Sequence, residues 1–188
     1  MNKLLMVVDP QIDFISGSLS VNGAAEVMDA LANYIHEYGG QYDYRIVTND
    51  WHPLSHCSFK ENGGTWPMHC VQYSMGAAIY PSLIKPLFDP KFVTKVLTKG
   101  NLPKVEEYSI FKNSTSASHI KLIMGLRNIQ QIDLCGIAGD YCVLDTLKDG
   151  IELYGKDMFN VLMPYIASID GGKALNDFIN ENSIKATY

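Results

Sequence analysis

Short apolar runs rich in β-branched residues recur along this chain, separated by stretches of helical period, and that alternation constrains the fold more than any other feature. It predicts strands near Leu4 to Val8, Tyr44 to Thr48, Val93 to Leu97, Gln131 to Cys135, Met158 to Leu162 and Ile184 to Thr187. Between them, "AAEVMDALANYIHEYGG" sets Val27, Met28, Leu31, Ile35 and Tyr38 on one stripe, with Gly39 and Gly40 as the stop. "ASHIKLIMGLRN", "VLDTLKDGIELYG" and "GGKALNDFINEN" carry similar periods. Strands separated by helices call for right-handed crossovers, so the expected class is α/β, with a mainly parallel sheet covered by helices on both faces. The 188 residues suffice for one sizeable core, and a single domain over 1–188 is expected.

Charge and cysteine usage narrow the function. The net charge of -5, from 15 basic and 20 acidic residues without blocks, offers no footprint for nucleic acid or an anionic membrane. The apolar stretch before Asp9 is too short for a signal-peptide core or a bilayer span, so a cytoplasmic location is expected. Cys57, Cys70, Cys135 and Cys142 form no C-x-x-C pair, which leaves the thiols free for catalysis, ligation or packing.

In an open α/β sheet, ligands bind beyond the carboxyl ends of the strands. There this chain delivers Asp9, then Asp50 followed by Trp51 and His52, then Lys99, and then Cys142 after "GIAGDY". Each has an ordinary reading taken singly. Free cysteine is among the most buried residue types, Asp9 can cap the turn with Pro10, and Lys99 before Gly100 can be a solvated turn residue. Cys142 nonetheless follows a turn at a predicted helix N-terminus, where the dipole and free amides lower a thiol pKa. The irregular stretch from Asp50 to about Gly76 holds a second group. Asp50 and His52 are two apart, so an extended segment points both to one side, and His56 and His69 lie nearby. An Asp with several imidazoles suits zinc, iron or manganese, and a hydrogen-bonded loop without metal is the alternative. Phe14, Trp66, Tyr108 and Phe111 could be core residues or the walls of a flat-ring pocket.

"VDPQIDF", "NDWHPLSH", "WPMHC", "KG" with "YSIF" soon after, and "GIAGDYCV" resemble, in order and spacing, the motifs of the nicotinamidase/pyrazinamidase enzymes among the isochorismatase-like cysteine hydrolases. The resemblance spans nearly the whole chain. It implies a three-layer sandwich with a six-stranded, mainly parallel sheet. It also implies a triad of Cys142, Asp9 and Lys99, and one divalent metal ion, with zinc ahead of iron or manganese, on Asp50, His52 and His69. His56 matches a ligand in some relatives and a non-ligand in others. Two departures stand out: Ile12 replaces a usual Asn, and Gly139 replaces a frequent Thr in the turn where the resemblance implies a cis peptide before Ala138.

The implied activity is amide hydrolysis of nicotinamide or pyrazinamide-like analogues through a thioester, as in NAD salvage. Asp9 would take the thiol proton, and the N–H groups of Ala138 and Cys142 would hold the oxyanion. The ion would bind the ring nitrogen. A metal-free hydrolase of the same fold, acting on another amide, carbamoyl or vinyl-ether substrate, would not need Asp50, His52 and His69 together. A binding module would not need the acid, base and thiol. No nucleic-acid or membrane partner is expected, and the sequence leaves room for a homo-oligomer.

Overall fold

The computed structural model describes residues 1–188 and contains all six expected strands. They are β1 (Asn2–Val8), β2 (Tyr44–Asp50), β3 (Thr94–Lys99), β4 (Ile129–Ile137), β5 (Phe159–Ala167) and β6 (Lys185–Thr187). The sheet order is β3-β2-β1-β4-β5-β6, and every adjacent pair is parallel. That is a doubly wound order, in which the connections leave β1 and β4 in opposite directions and open a crevice between their carboxyl ends.

Strand period decides the layers. On β1, Leu4, Met6 and Val8 face one core and Leu5 and Val7 the other, so the strand is apolar throughout because both its faces are covered. The first core takes Ile120 and Met124 from α4 (Ser114–Leu126), Leu144 and Leu147 from α5 (Leu144–Tyr154), and Leu175 and Ile179 from α6 (Lys173–Asn182). The second takes Met28, Leu31 and Ile35 from α2 (Ala24–Tyr38) and Leu83 and Leu87 from α3 (Pro81–Leu87). A short helix, α1 (Ile12–Ile15), follows the first strand. Neither α1 nor α3 is apparent from period, since each is too short to repeat a face.

The stripe on α2 differs from expectation at its end. Ala24, Met28, Leu31, Ala32 and Ile35 are buried, whereas Tyr38, the last helical residue, is 51% exposed and lies against Tyr34. The stretch from Asp50 to Gly76 is irregular as expected. It is pinned by isolated bridges, His52 to Val71 and Phe59 to Trp66, and by one short turn, Lys60–Asn62.

Candidate active site

The carboxyl edge of β1 to β4 gathers the chemistry. Asp9 directly follows β1 in a left-handed backbone conformation (φ 44°), which Asp tolerates better than most residues, before Pro10 turns the chain away. Asp50 and Lys99 end β2 and β3 as register partners. Cys142 comes from the helical turn Gly139–Val143, just beyond β4 and the cis peptide Ile137–Ala138. All four side chains are buried.

Lys99 Nζ is the hub of the group. It lies 2.8 Å from Asp9 Oδ2 and 3.4 Å from Cys142 Sγ, and it also pairs with Asp50 Oδ1. Asp9 Oδ1 accepts the Thr48 hydroxyl at 2.7 Å. Asp9 Oδ2 is held in the ion pair with Lys99, and as a carboxylate oxygen it can still accept a proton.

Burial sets the resting protonation. It would lower the Lys99 pKa, but Asp50 and Asp9 outweigh it, so the amine stays an ammonium well above its ordinary range. Burial likewise raises Asp9, with Lys99 opposing and the nearby Asp50 charge adding to the rise. For Asp50, burial is overcome by Lys99 and His52, and the carboxyl is held below its usual range. The Cys142 thiol runs against the helix-terminus expectation. Burial and the two carboxylates push its pKa well up despite Lys99, so the thiol rests protonated and needs a base.

The metal-ligand candidates separate here. Asp50 Oδ2 lies 3.4 Å from His52 Nε2 and 4.0 Å from His69 Nε2, and one ligand atom from each of these residues fits within 4.8 Å of the others. Each ring is oriented from behind, with His52 Nδ1 on the Gly100 carbonyl at 3.0 Å and His69 Nδ1 on the Pro67 carbonyl at 2.8 Å. Two Nε2 atoms facing a buried carboxylate, with both Nδ1 atoms engaged by carbonyls, is the arrangement a divalent ion requires of its ligands and their supports. The residues fit the ion. His56 does not join them, although its ring stacks 4.0 Å from that of His52. Its Nδ1 meets Ser58 Oγ at 2.7 Å and its Nε2 meets the Val105 carbonyl at 3.0 Å. Burial and the His52 charge lower its pKa to about 4, so it stays neutral.

One pocket joins both groups, touching Cys142 and Ala138 as well as Asp50 and His69. Phe14, Trp66 and Tyr108 are among its walls, and Trp66 Nε1 donates to the Tyr108 hydroxyl at 3.0 Å. Phe111 is not part of the lining. The turn Ile110–Lys112 carries it into the core, where it meets Tyr154 and the space beside Gly150. Tyr141 takes the wall position, its ring 5.1 Å from Trp66 and 5.5 Å from Tyr108. It sits inside the motif "GIAGDYCV", one residue before the thiol, so the signal was in plain view.

Three further residues hold the site without lining it. The Gln11 amide grips the Asp50 backbone in both directions, accepting from N at 2.7 Å and donating to O at 2.8 Å. Asp13 Oδ2 accepts from Cys70 N at 2.7 Å and so anchors the segment bearing His69. Glu107, buried, accepts from Gly100 N at 2.7 Å and from Asn113 Nδ2 at 3.0 Å. Gly100 has φ +65°, and a Cβ there would lie 2.3 Å from His52 Cε1, so only glycine admits the ring.

Fold and site together define an α/β cysteine hydrolase with a cluster of candidate metal ligands beside its thiol. The chain belongs to the isochorismatase family: the model of the isochorismatase domain matches residues 3–161. It is 31% identical over 169 residues to the nicotinamidase of Escherichia coli (strain K12), covering 80% of this chain and 77% of that protein. Among solved structures, it is similar to the pyrazinamidase of Pyrococcus horikoshii in complex with zinc (TM-score 0.83, 28% identity, 100% and 99% of the two chains). The yeast nicotinamidase Pnc1p bound to the inhibitor nicotinaldehyde is also similar (TM-score 0.85, 26% identity, 98% and 99%).

Proposed function

We propose that the protein hydrolyses nicotinamide, and analogues such as pyrazinamide, to the carboxylic acid and ammonia. The observation that carries this reading is a pocket with aromatic walls that is bounded both by Cys142 and by Asp50 and His69. A flat ring fits between those walls, with its carboxamide at the thiol and a ring nitrogen toward the ligand cluster. A divalent ion held by Asp50, His52 and His69, zinc in the first instance, would supply an electrophilic anchor for that nitrogen.

Asp9 takes the Cys142 proton as sulfur attacks the carboxamide carbon. The developing oxyanion is held by the N–H groups of Ala138 and Cys142, a contribution of about 3 kcal/mol per donor. Asp9 then returns the proton to nitrogen and ammonia leaves a thioester. A water attacks the thioester carbon and gives its proton to Asp9, and the acid is released as that proton returns to sulfur. Lys99 keeps Asp9 and the thiol in register and balances the carboxylates. We place the activity in the cytoplasm. No helix is long and apolar enough to cross a membrane.

The test is ammonia release from nicotinamide and from benzamide, with metal content measured on the same sample. The expected result is turnover of nicotinamide, loss of that turnover on chelation, recovery with zinc, iron or manganese, and far weaker turnover of benzamide. Equal rates on the two amides by metal-loaded protein would overturn the ring-nitrogen contact. No turnover of nicotinamide by such protein would overturn the substrate assignment.

A further inference from the structure

Gly139 faces a neighbour that a side chain would displace. A Cβ at this position would lie 2.0 Å from Ser168 Oγ, 2.8 Å from Ile166 Cγ2 and 3.3 Å from Ser168 Cβ. The segment joining β5 to α6 therefore rests on the Cys142 turn in a space that exists because residue 139 has no side chain. Asp140, the next residue, ties that segment down: Oδ1 accepts from Ile169 N at 2.9 Å and Oδ2 from Asp170 N at 3.1 Å. Asp170 in turn accepts from Gly172 N and Ala174 N, each at 2.7 Å, and so secures the start of α6. Ile169 is thus fixed relative to Cys142 through backbone on both sides. Its side chain lines the pocket while 51% of the residue stays exposed, which places it at the mouth.

We infer that Ile169, held on the Cys142 turn by Gly139 and Asp140, is a specificity-determining residue that excludes six-membered-ring carboxamides carrying a substituent directed at it. The inference rests on the activity proposed above. An apolar wall discriminates by volume, and one methyl group against a fixed wall changes kcat/KM by about tenfold or more. A wall on a free loop would yield instead. Here the carboxylate and the missing Cβ make yielding costly, and a residue with a side chain at position 139 would move the wall outward.

The experiment compares nicotinamide with its four ring-methylated derivatives in the wild type, Ile169→Ala and Gly139→Ala. The wild type is expected to reject at least one derivative by about tenfold or more in kcat/KM relative to nicotinamide. Ile169→Ala should recover that derivative by a similar factor relative to the parent. Gly139→Ala should shift the same ratio in the same direction by displacing Ser168. The inference is overturned if the wild type accepts all four derivatives as it does nicotinamide, or if Ile169→Ala leaves every ratio within twofold. Equilibrium binding of nicotinate and the methylnicotinates to the same metal-loaded proteins reads the width of the pocket independently of turnover. A wild type that hydrolyses no nicotinamide but binds nicotinate, and whose rejected methylnicotinate binds on Ile169→Ala, would overturn the activity and keep the wall. Unchanged acid selectivity would overturn the wall alone.

Discussion

Asp50 and Lys99 are register partners at the ends of β2 and β3, and their buried ion pair joins the candidate metal-ligand cluster to the group formed by Lys99, Asp9 and Cys142. One carboxylate oxygen faces the ammonium and the other faces His52 and His69. The two halves of the site therefore share a residue. Asp50→Asn should lose tight metal binding and reduce kcat/KM more than His69→Ala does, with a stability cost of about 3 kcal/mol from the broken buried pair. Metal content after dialysis, kinetics and denaturant unfolding measure the three effects. A variant that retains stoichiometric metal would contradict the shared role.

The two buried cysteines on either side of the cis peptide should behave oppositely. Cys142→Ala is expected to lower turnover by at least about 10³-fold while the fold is retained. Cys135, in β4 with its sulfur 3.7 Å from the Met6 carbonyl, is core: its change to Ala should cost about 1 kcal/mol and keep most activity. Near wild-type turnover by Cys142→Ala would remove the thioester from the mechanism.

In the proposed mechanism Asp9 and Lys99 act as a unit, so Asp9→Asn combined with Lys99→Ala should be little worse than either change alone. Losses that multiply in the double variant would show that the residues serve separate steps.

The pH dependence follows from the directions at Asp9. Its pKa is raised by burial, and the base must be ionised to take the thiol proton, so the acid limb of kcat/KM should lie above the ordinary carboxylate range. The Thr48 hydroxyl favours the charged form. Thr48→Val removes that bond, raises the Asp9 pKa further and should move the limb to higher pH. A limb that stays in place or moves down would be inconsistent with Asp9 as the base.

Glu107 reaches the candidate metal ligands through Gly100. Its carboxylate holds Gly100 N, and the carbonyl of Gly100 orients His52. Glu107→Ala should weaken zinc affinity by about 10–100-fold, and Glu107→Gln, which keeps an acceptor oxygen, should restore most of it. Competition with a chromophoric chelator reads the affinity without reference to activity. Wild-type affinity in the folded Glu107→Ala variant would reduce the residue to a structural one.

Strand positions, the covered faces of β1 and the residues at the strand ends were legible in the sequence, because each depends on local backbone period and on where a strand stops. Asp9, Asp50, Lys99 and Cys142 are near their strand ends in any parallel arrangement of these elements. Their convergence depends on the sheet order, which sets β1 between β2 and β4. Choices between chemically equal residues were also tertiary. His56 and His69 are both imidazoles on one loop, and contact with Val105, 49 residues away, engages the His56 nitrogen that a ligand would need. Phe111 and Tyr141 are both aromatics near the site, and a short turn sends the first into the core while the helical turn after β4 keeps the second in the pocket. The Cys142 thiol illustrates the same division. Its place after a strand was written locally, but its protonation is set by the burial and the carboxylates of Asp9 and Asp50, which distant strands bring beside it, and a field of that kind exists only once the chain has folded.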